Sequence, residues 1–160
     1  MEQFGVKMMQ IVRRDICTAT ESMILQGCNA QGVMGSGVAK AIRLKWPGVF
    51  SVYRLEYERG LLVPGHVTIA VVENFAENRK FIANIITQKT FGYDGSKYAR
   101  YSALVKGLET VRSVCLLQGI TEVATPPIGC GLGGLNKDFV FELLEEGLTE
   151  HGINVTIYEI

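Results

Sequence analysis

Histidine and cysteine are scarce and scattered in this chain. There are only two histidines, His66 and His151, with no HxxxH spacing, and Cys17, Cys28, Cys115 and Cys130 form no CxxC pair. That spacing argues against a zinc knuckle and a dithiol redox motif. Neither a metal site nor a cofactor is expected. An excess of one charge is also missing, because 16 basic and 16 acidic residues leave a net charge of zero. Duplex-binding proteins usually carry a basic excess, so nucleic acid is not the expected partner. No apolar run approaches the roughly 20 residues of a membrane span. The first fifteen residues lack the basic, apolar and small-residue order of a signal peptide. A cytoplasmic monomer is expected, with residues 1–160 forming one domain.

Glycine is abundant: 18 of 160 residues, against a usual share of about 7%. The glycines cluster in GVMGSGV at 32–38 and in TPPIGCGLGGLNK at 125–137. Without side chains, such loops leave backbone N–H groups open to a ligand. At a helix N-terminus those groups can cradle a phosphate. The alternative is a tight connection whose glycines serve turn geometry alone. Residues 129–134 satisfy G-x-G-x-x-G, but a Rossmann site needs an initial βαβ unit and an acid about 20 residues later. The nearest acid at a later strand end is Glu159, almost at the C-terminus. A Walker loop is also excluded, since neither glycine loop ends in Lys-Ser or Lys-Thr.

Periodicity sets the framework. Strands are predicted at 6–12, 23–28, 67–72, 81–87, 122–126 and 154–158. Residues 73–80 are read as a polar hairpin link. Helices are predicted at 36–45, 49–58 and 97–118. A last helix begins after the candidate cap Asn136 and ends near His151. This alternation predicts an α/β fold with a mixed, mostly parallel sheet and helices on both faces. Both glycine loops follow strand ends, where ligands of such sheets bind.

Several segments together resemble the macrodomain family of ADP-ribose-binding modules. They are Arg14-Asp15-Ile16, Cys28-Asn29-Ala30 through Gly35-Ser36-Gly37-Val38-Ala39, Ile86-Thr87, and Pro127-Ile128-Gly129-Cys130-Gly131-Leu132. The similarity runs from about residue 7 to residue 158. Within the family, 125–135 looks most like the branch of ADP-ribose-1″-phosphate phosphatases, terminal ADP-ribose glycohydrolases and DNA-ADP-ribose antitoxins. The resemblance implies a three-layer α/β/α macrodomain and a ligand that is ADP-ribose, ADP-ribose 1″-phosphate or an ADP-ribosylated protein. It implies that Asp15 accepts from the adenine amine, Ile16 packs beside adenine and Tyr158 lines the adenosine. Asn29 would face the distal ribose. Gly35, Ser36, Gly37 and Val38 would enclose that ribose and one phosphate. Thr87 belongs to the matched pocket. Pro127, Ile128, Gly129, Cys130, Gly131, Leu132 and Gly133 would form the diphosphate loop.

The departures from the family pattern bear on the reaction. Gln88 stands where the glycohydrolases and antitoxins carry a catalytic lysine, and Gly133 where the glycohydrolase carries an aspartate. Gln26 replaces a histidine of the yeast phosphatase. A glutamine amide cannot form a Schiff base, so that covalent route is not expected. The loop TFGYDGSKYARY at 90–101 is expected to cover the distal ribose. Lys97 or Arg100 would neutralise phosphate there, and Asp94 would position water or donate a proton. A solvated loop is the alternative. Cys130 is read as a residue chosen for fit, since no Arg follows at the spacing of a thiolate phosphatase. The expected activity is conversion of ADP-ribose 1″-phosphate to ADP-ribose and phosphate, with Asn29 and Asp94 as catalytic candidates. The alternatives are a non-catalytic ADP-ribose reader and a hydrolase of ADP-ribosyl esters or O-acetyl-ADP-ribose.

Overall fold

Six strands and four α-helices alternate along residues 8–75 and 78–160, which the computed structural model describes. The strands are β1 (Met9–Arg13), β2 (Met23–Asn29), β3 (Val67–Phe75), β4 (Asn78–Gln88), β5 (Glu122–Thr125) and β6 (Asn154–Glu159). The helices are α1 (Gly37–Lys45), α2 (Pro47–Glu58), α3 (Tyr101–Gln118) and α4 (Lys137–Gly147). Short 3-10 turns occupy Ile16–Thr18 and Thr149–His151. The sheet order is β1-β6-β5-β2-β4-β3. Every neighbouring pair is parallel except the β3/β4 hairpin. This is the mixed, mostly parallel sheet expected from the alternation.

Both faces of the sheet are covered, which is why β2 and β4 read as nearly continuous apolar runs. On one face Leu25, Ala83 and Ile85 pack against Leu104 and Leu108 of α3 and Val140 and Leu144 of α4. On the other face Ile24, Ile82 and Ile86 pack against Ile42 of α1 and Val49 and Tyr53 of α2. The result is three layers. Among the described residues no helix is long and apolar enough to cross a membrane.

Element boundaries differ from the sequence reading by a residue or two at several ends and more instructively in three places. Residues 6 and 7 of the first predicted strand lie outside the described residues, and β1 runs instead from Met9 to Arg13. The link predicted at 73–80 is mostly strand, with Glu73 paired to Lys80 and Asn74 to Arg79. Polar residues continue the ladder because β3 is an edge strand. Lys80 is nevertheless buried, donating to the Ala19 carbonyl, and burial pulls its pKa down. Finally, α3 begins at Tyr101 rather than at residue 97. The N–H groups of Tyr98 and Ala99 bond Gly133 O (2.9 and 3.0 Å), and Arg100 N bonds Thr87 O (2.9 Å). Residues 98–100 are thereby tied to the second glycine loop and to β4.

The predicted caps are present. Asn136 Oδ1 accepts from Phe139 N (3.0 Å) at the start of α4. Gly119 ends α3 in the left-handed conformation. The last helix stops at Gly147, and the chain reaches β6 through Thr149–His151 and Gly152.

Candidate functional site

The carboxyl ends of five parallel strands lie along one edge of the sheet, and a cleft of about 440 Å3 opens there. It is lined by residues 26–29 in the second half of β2, by residues 33–39, by Thr87 and Gln88 at the end of β4, by Phe91 and Tyr93 after it, and by residues 126–129 and 131–133 after β5. The two glycine-rich loops therefore share one cleft.

The first loop is held from behind by α2. The fully buried Tyr53 hydroxyl accepts from Gly32 N (3.1 Å) and Val33 N (3.2 Å). It lies 2.7 Å from Asn29 O and 2.9 Å from Asn29 Oδ1, one of which takes its single proton. Burial pushes the Tyr53 pKa far up, so the hydroxyl keeps that proton. Asn29 closes the turn with its own amide: Oδ1 accepts from Gln31 N and Nδ2 donates to Val33 O, both at 2.9 Å. Ser36 is the N-cap of α1 but makes no side-chain cap bond. Its hydroxyl and the first-turn N–H groups of α1 are thus available at the cleft.

The second loop is folded on its own carbonyls. Cys130 N bonds Pro127 O, Gly134 N bonds Gly131 O, and Leu135 N bonds Gly129 O (3.2, 3.1 and 2.8 Å). Among the described residues the N–H groups of Gly129, Gly131, Leu132 and Gly133 have no partner. Gly129 takes φ +74°, and a Cβ at Gly133 would lie 2.6 Å from Gly129 O. No side chain fits at 133 without moving backbone.

Cys130 is half-buried and does not line the cleft. Burial raises its thiol to about 11, and Sγ lies 3.5 Å from Ile128 O. A thiol in that state is no nucleophile at neutral pH, in keeping with a packing role.

The third wall follows β4. The register passes from Cys28↔Ile86 to Asn29↔Gln88, leaving Thr87 as an unpaired bulge residue. Gln88 Nε2 donates to Thr90 O (2.9 Å). Phe91 and Tyr93 stand edge to face at 6.2 Å, both exposed, and cover one side of the cleft.

Asp94 does not line the cleft. Its Oδ1 accepts from Tyr98 Oη (2.7 Å) and Ser96 N (3.0 Å). The Tyr98 hydrogen bond, more than any other cause, holds its carboxyl below the usual range, so it is ionised and suited to bracing the loop rather than donating a proton. Lys97 and Arg100 also miss the cleft. With Lys89, Tyr98 and Tyr101 they line a neighbouring cavity of about 630 Å3.

The residues matched to adenine lie farther along the same edge, outside the cleft lining. Asp15 is exposed after β1 and caps the Ile16–Thr18 turn, with Oδ1 accepting from Cys17 N (2.9 Å). Ile16 is buried in the core. Tyr158 is also a core residue, and its hydroxyl donates to Glu21 Oε1 (2.7 Å). Among the described residues no three His, Cys, Asp or Glu side chains are grouped to hold a metal ion.

The sequence reading missed Tyr53 behind the first loop and Phe91 on the cleft wall. A tyrosine on a core-facing helix stripe needs a partner for its hydroxyl, and that is the signal that points to Tyr53.

Residues 25–144 match the Macro domain. The chain belongs to the macrodomain family. It is 29% identical over 147 residues to the ADP-ribose glycohydrolase OARD1 of Homo sapiens, covering 90% of this chain and 85% of that protein. It is 29% identical over 155 residues to a DNA ADP-ribosyl glycohydrolase of Thermus aquaticus, covering 95% of this macrodomain and 41% of that longer protein. The solved macrodomain of Mycobacterium tuberculosis DarG superimposes with a TM-score of 0.84 at 24% identity, covering 96% of this chain and 99% of that one. That likeness speaks for the fold.

Proposed function

We propose that this macrodomain binds ADP-ribose across the carboxyl edge of its sheet. The observation that carries the proposal is the convergence of two loops with unpartnered N–H groups on one cleft. The strand order gives the ligand a direction. Asp15 follows β1, Tyr158 lies in β6, the 126–133 loop follows β5, Asn29 ends β2 and Gln88 ends β4. In this reading adenine, diphosphate and distal ribose follow one another along β1-β6-β5-β2-β4. Four strand spacings span about 19 Å, long enough for an extended dinucleotide-sized ligand. The names of the relatives, which act on ADP-ribosyl groups, support the same ligand.

Binding without turnover is the reading the geometry supports best. Among the described residues, no Asp, Glu, His, Lys or Arg lines the cleft. Asn29 has both ends of its amide committed to its own loop. A second reading is hydrolysis of ADP-ribose 1″-phosphate, favoured by the unpartnered N–H groups of 129–133, which suit developing charge on a phosphate. Calorimetric titration with ADP-ribose tests the binding. Absence of heat at millimolar ligand would reject it. Incubation with ADP-ribose 1″-phosphate separates the two readings, because only the second releases phosphate above the level of a loop variant.

A further inference from the structure

Lys80 is the one buried charged side chain among the described residues. It stands near the start of β4, opposite Glu73 of β3. It shares the sheet face of Ile82 and Ile86, the face covered by α1 and α2. An apolar residue would fill that position without a desolvation cost, so a charge there calls for an explanation. Burial is the main cause that lowers its pKa; Lys45 adds to it, and Glu73 and Glu21 oppose it. Among the described residues Lys80 forms no ion pair. What it holds instead is a main-chain carbonyl, that of Ala19.

Ala19 closes the turn that Asp15 opens. Within the turn, Thr18 N and Oγ1 both bond Asp15 O (2.9 and 2.6 Å), and Ala19 N bonds Ile16 O (3.0 Å). Those bonds shape the turn but do not attach it to the rest of the protein. Attachment comes from Ile16 and Ala19, which sit in the same core cluster as Trp46, and from two ammonium groups. Lys45, the last residue of α1, donates to Cys17 O (2.5 Å), and Lys80 donates to Ala19 O. Both Nζ atoms lie over the Trp46 ring, 4.8 and 5.8 Å from its centroid. The indole face offsets part of the repulsion between two like charges. Two carbonyls of one turn are thus gripped from a helix and from a strand. Beyond the turn, Glu21 and Ser22 are tied to Tyr158 and Phe81.

We propose that Lys80 and Lys45 are positioning residues for Asp15: by gripping the turn, they set where its carboxylate points. This rests on the ADP-ribose reading above, in which Asp15 meets the adenine amine. The link is geometric. Asp15 Oδ1 is committed inside the turn, accepting from Cys17 N (2.9 Å). The other carboxylate oxygen, Oδ2, is left for a ligand, and its direction follows the turn. Cys17 therefore carries both connections, its N–H to the carboxylate and its carbonyl to Lys45. A turn released at Cys17 O and Ala19 O moves the carboxylate with it, and binding must then order the turn again, which lowers affinity. Bonds from a charged donor are stronger than neutral ones, so ammonium groups suit the task of holding an exposed turn in place.

The test is a double-mutant cycle on ADP-ribose affinity, read by calorimetry, with Asp15→Asn and Lys80→Met. Asp15→Asn keeps an oxygen for Cys17 N but turns an N–H toward the adenine amine, a donor against a donor. It should weaken binding at least about 10-fold, the worth of one charge-assisted hydrogen bond. Lys80→Met keeps an apolar stem and removes the grip. It should weaken binding about 5-fold in the wild-type background and less than about twofold in the Asp15→Asn background. A residue that only stabilises the fold acts alike in both backgrounds, so an equal loss in both, or no loss in either, overturns the proposal. If Lys80→Met does not fold, Lys45→Met, a change at an exposed position, decides in the same cycle by the same criterion. Wild-type affinity in Asp15→Asn sinks the proposal while sparing the cleft. Wild-type protein that does not bind ADP-ribose at millimolar concentration sinks the ADP-ribose reading itself.

Discussion

Replacing Gly133 with alanine is the sharpest way to perturb the second loop. The added Cβ would lie 2.6 Å from Gly129 O and 3.0 Å from Ala99 Cβ. The first contact is with backbone, so no rotamer change relieves it. Gly133 O also accepts from Tyr98 N and Ala99 N, and Gly129 O accepts from Leu135 N. To make room, the loop must give up some of these bonds. Overpacking of this kind costs about 1–3 kcal/mol, and each strained hydrogen bond adds about 0.5–1.5 kcal/mol. Gly133→Ala should therefore lose about 2–4 kcal/mol of stability. If it folds, it should bind ADP-ribose at least about 10-fold more weakly, since losing one charge-assisted N–H contact costs about 1.5–3 kcal/mol. Gly131→Ala is the control. It also lies in the loop, but a Cβ there meets nothing within 4 Å, and its φ is not positive. Urea denaturation and calorimetry on the pair measure both effects. A Gly133→Ala protein with wild-type stability and affinity would refute the packing argument. The same geometry predicts that Gly133→Asp does not restore the aspartate of the glycohydrolase branch, because the carboxylate arrives only with a displaced loop.

Three further outcomes follow from named contacts. Tyr53→Phe orphans the N–H groups of Gly32 and Val33. It should cost about 2–4 kcal/mol in urea denaturation, and ADP-ribose should bind more weakly by calorimetry. Lys97→Ala and Arg100→Ala should leave ADP-ribose affinity within about twofold, because these cations line the neighbouring cavity; a large loss in the same titration would place them on the ligand. Burial raises Cys115 and Cys130 from 9.0 to about 11 and Tyr158 from 10.0 to about 12. The folded protein thus keeps protons that the unfolded chain releases from pH 9 upward. Their contribution is full below pH 9 and is lost as pH rises toward 12, so the urea midpoint should fall steadily between pH 9 and 11.

Much of the fold was legible because apolar runs and caps act locally. Strand β2 was read from its apolar run, Gly119 and Asn136 from their positions as caps, and the two glycine loops from composition. The misplaced boundaries have two causes, one distant in sequence and one local. Residues 97–100 carry helical periodicity, yet the carbonyls of Gly133 and Thr87 hold 98–100 extended. The polar letters of 73–80 look like a link, yet an edge ladder tolerates them. At the site, Asp94 and Lys97 belong to the right loop, but neither lines the cleft. Residue type cannot reveal that Tyr98 and Ser96 occupy the carboxylate. Gln26 did carry a readable signal: a glutamine inside a strand buried on both faces must spend its amide somewhere.

A cleft built largely from main-chain donors shifts the burden of specificity. Backbone N–H groups recognise the charge and shape of a diphosphate, and most substitutions leave them in place. The residues that matter for them either have no side chain, as at Gly129 and Gly133, or stand behind the loop, as Tyr53 and Leu135 do. Discrimination between nucleotides then falls to the few side chains with unspent polar atoms along the edge. Two such side chains are the exposed Asp15 beyond β1 and Ser36 at the start of α1. Adenine and the distal sugar are the two parts of ADP-ribose that a phosphate cradle cannot tell from other groups, so in the proposed reading their recognition depends on such side chains and not on the glycine loops.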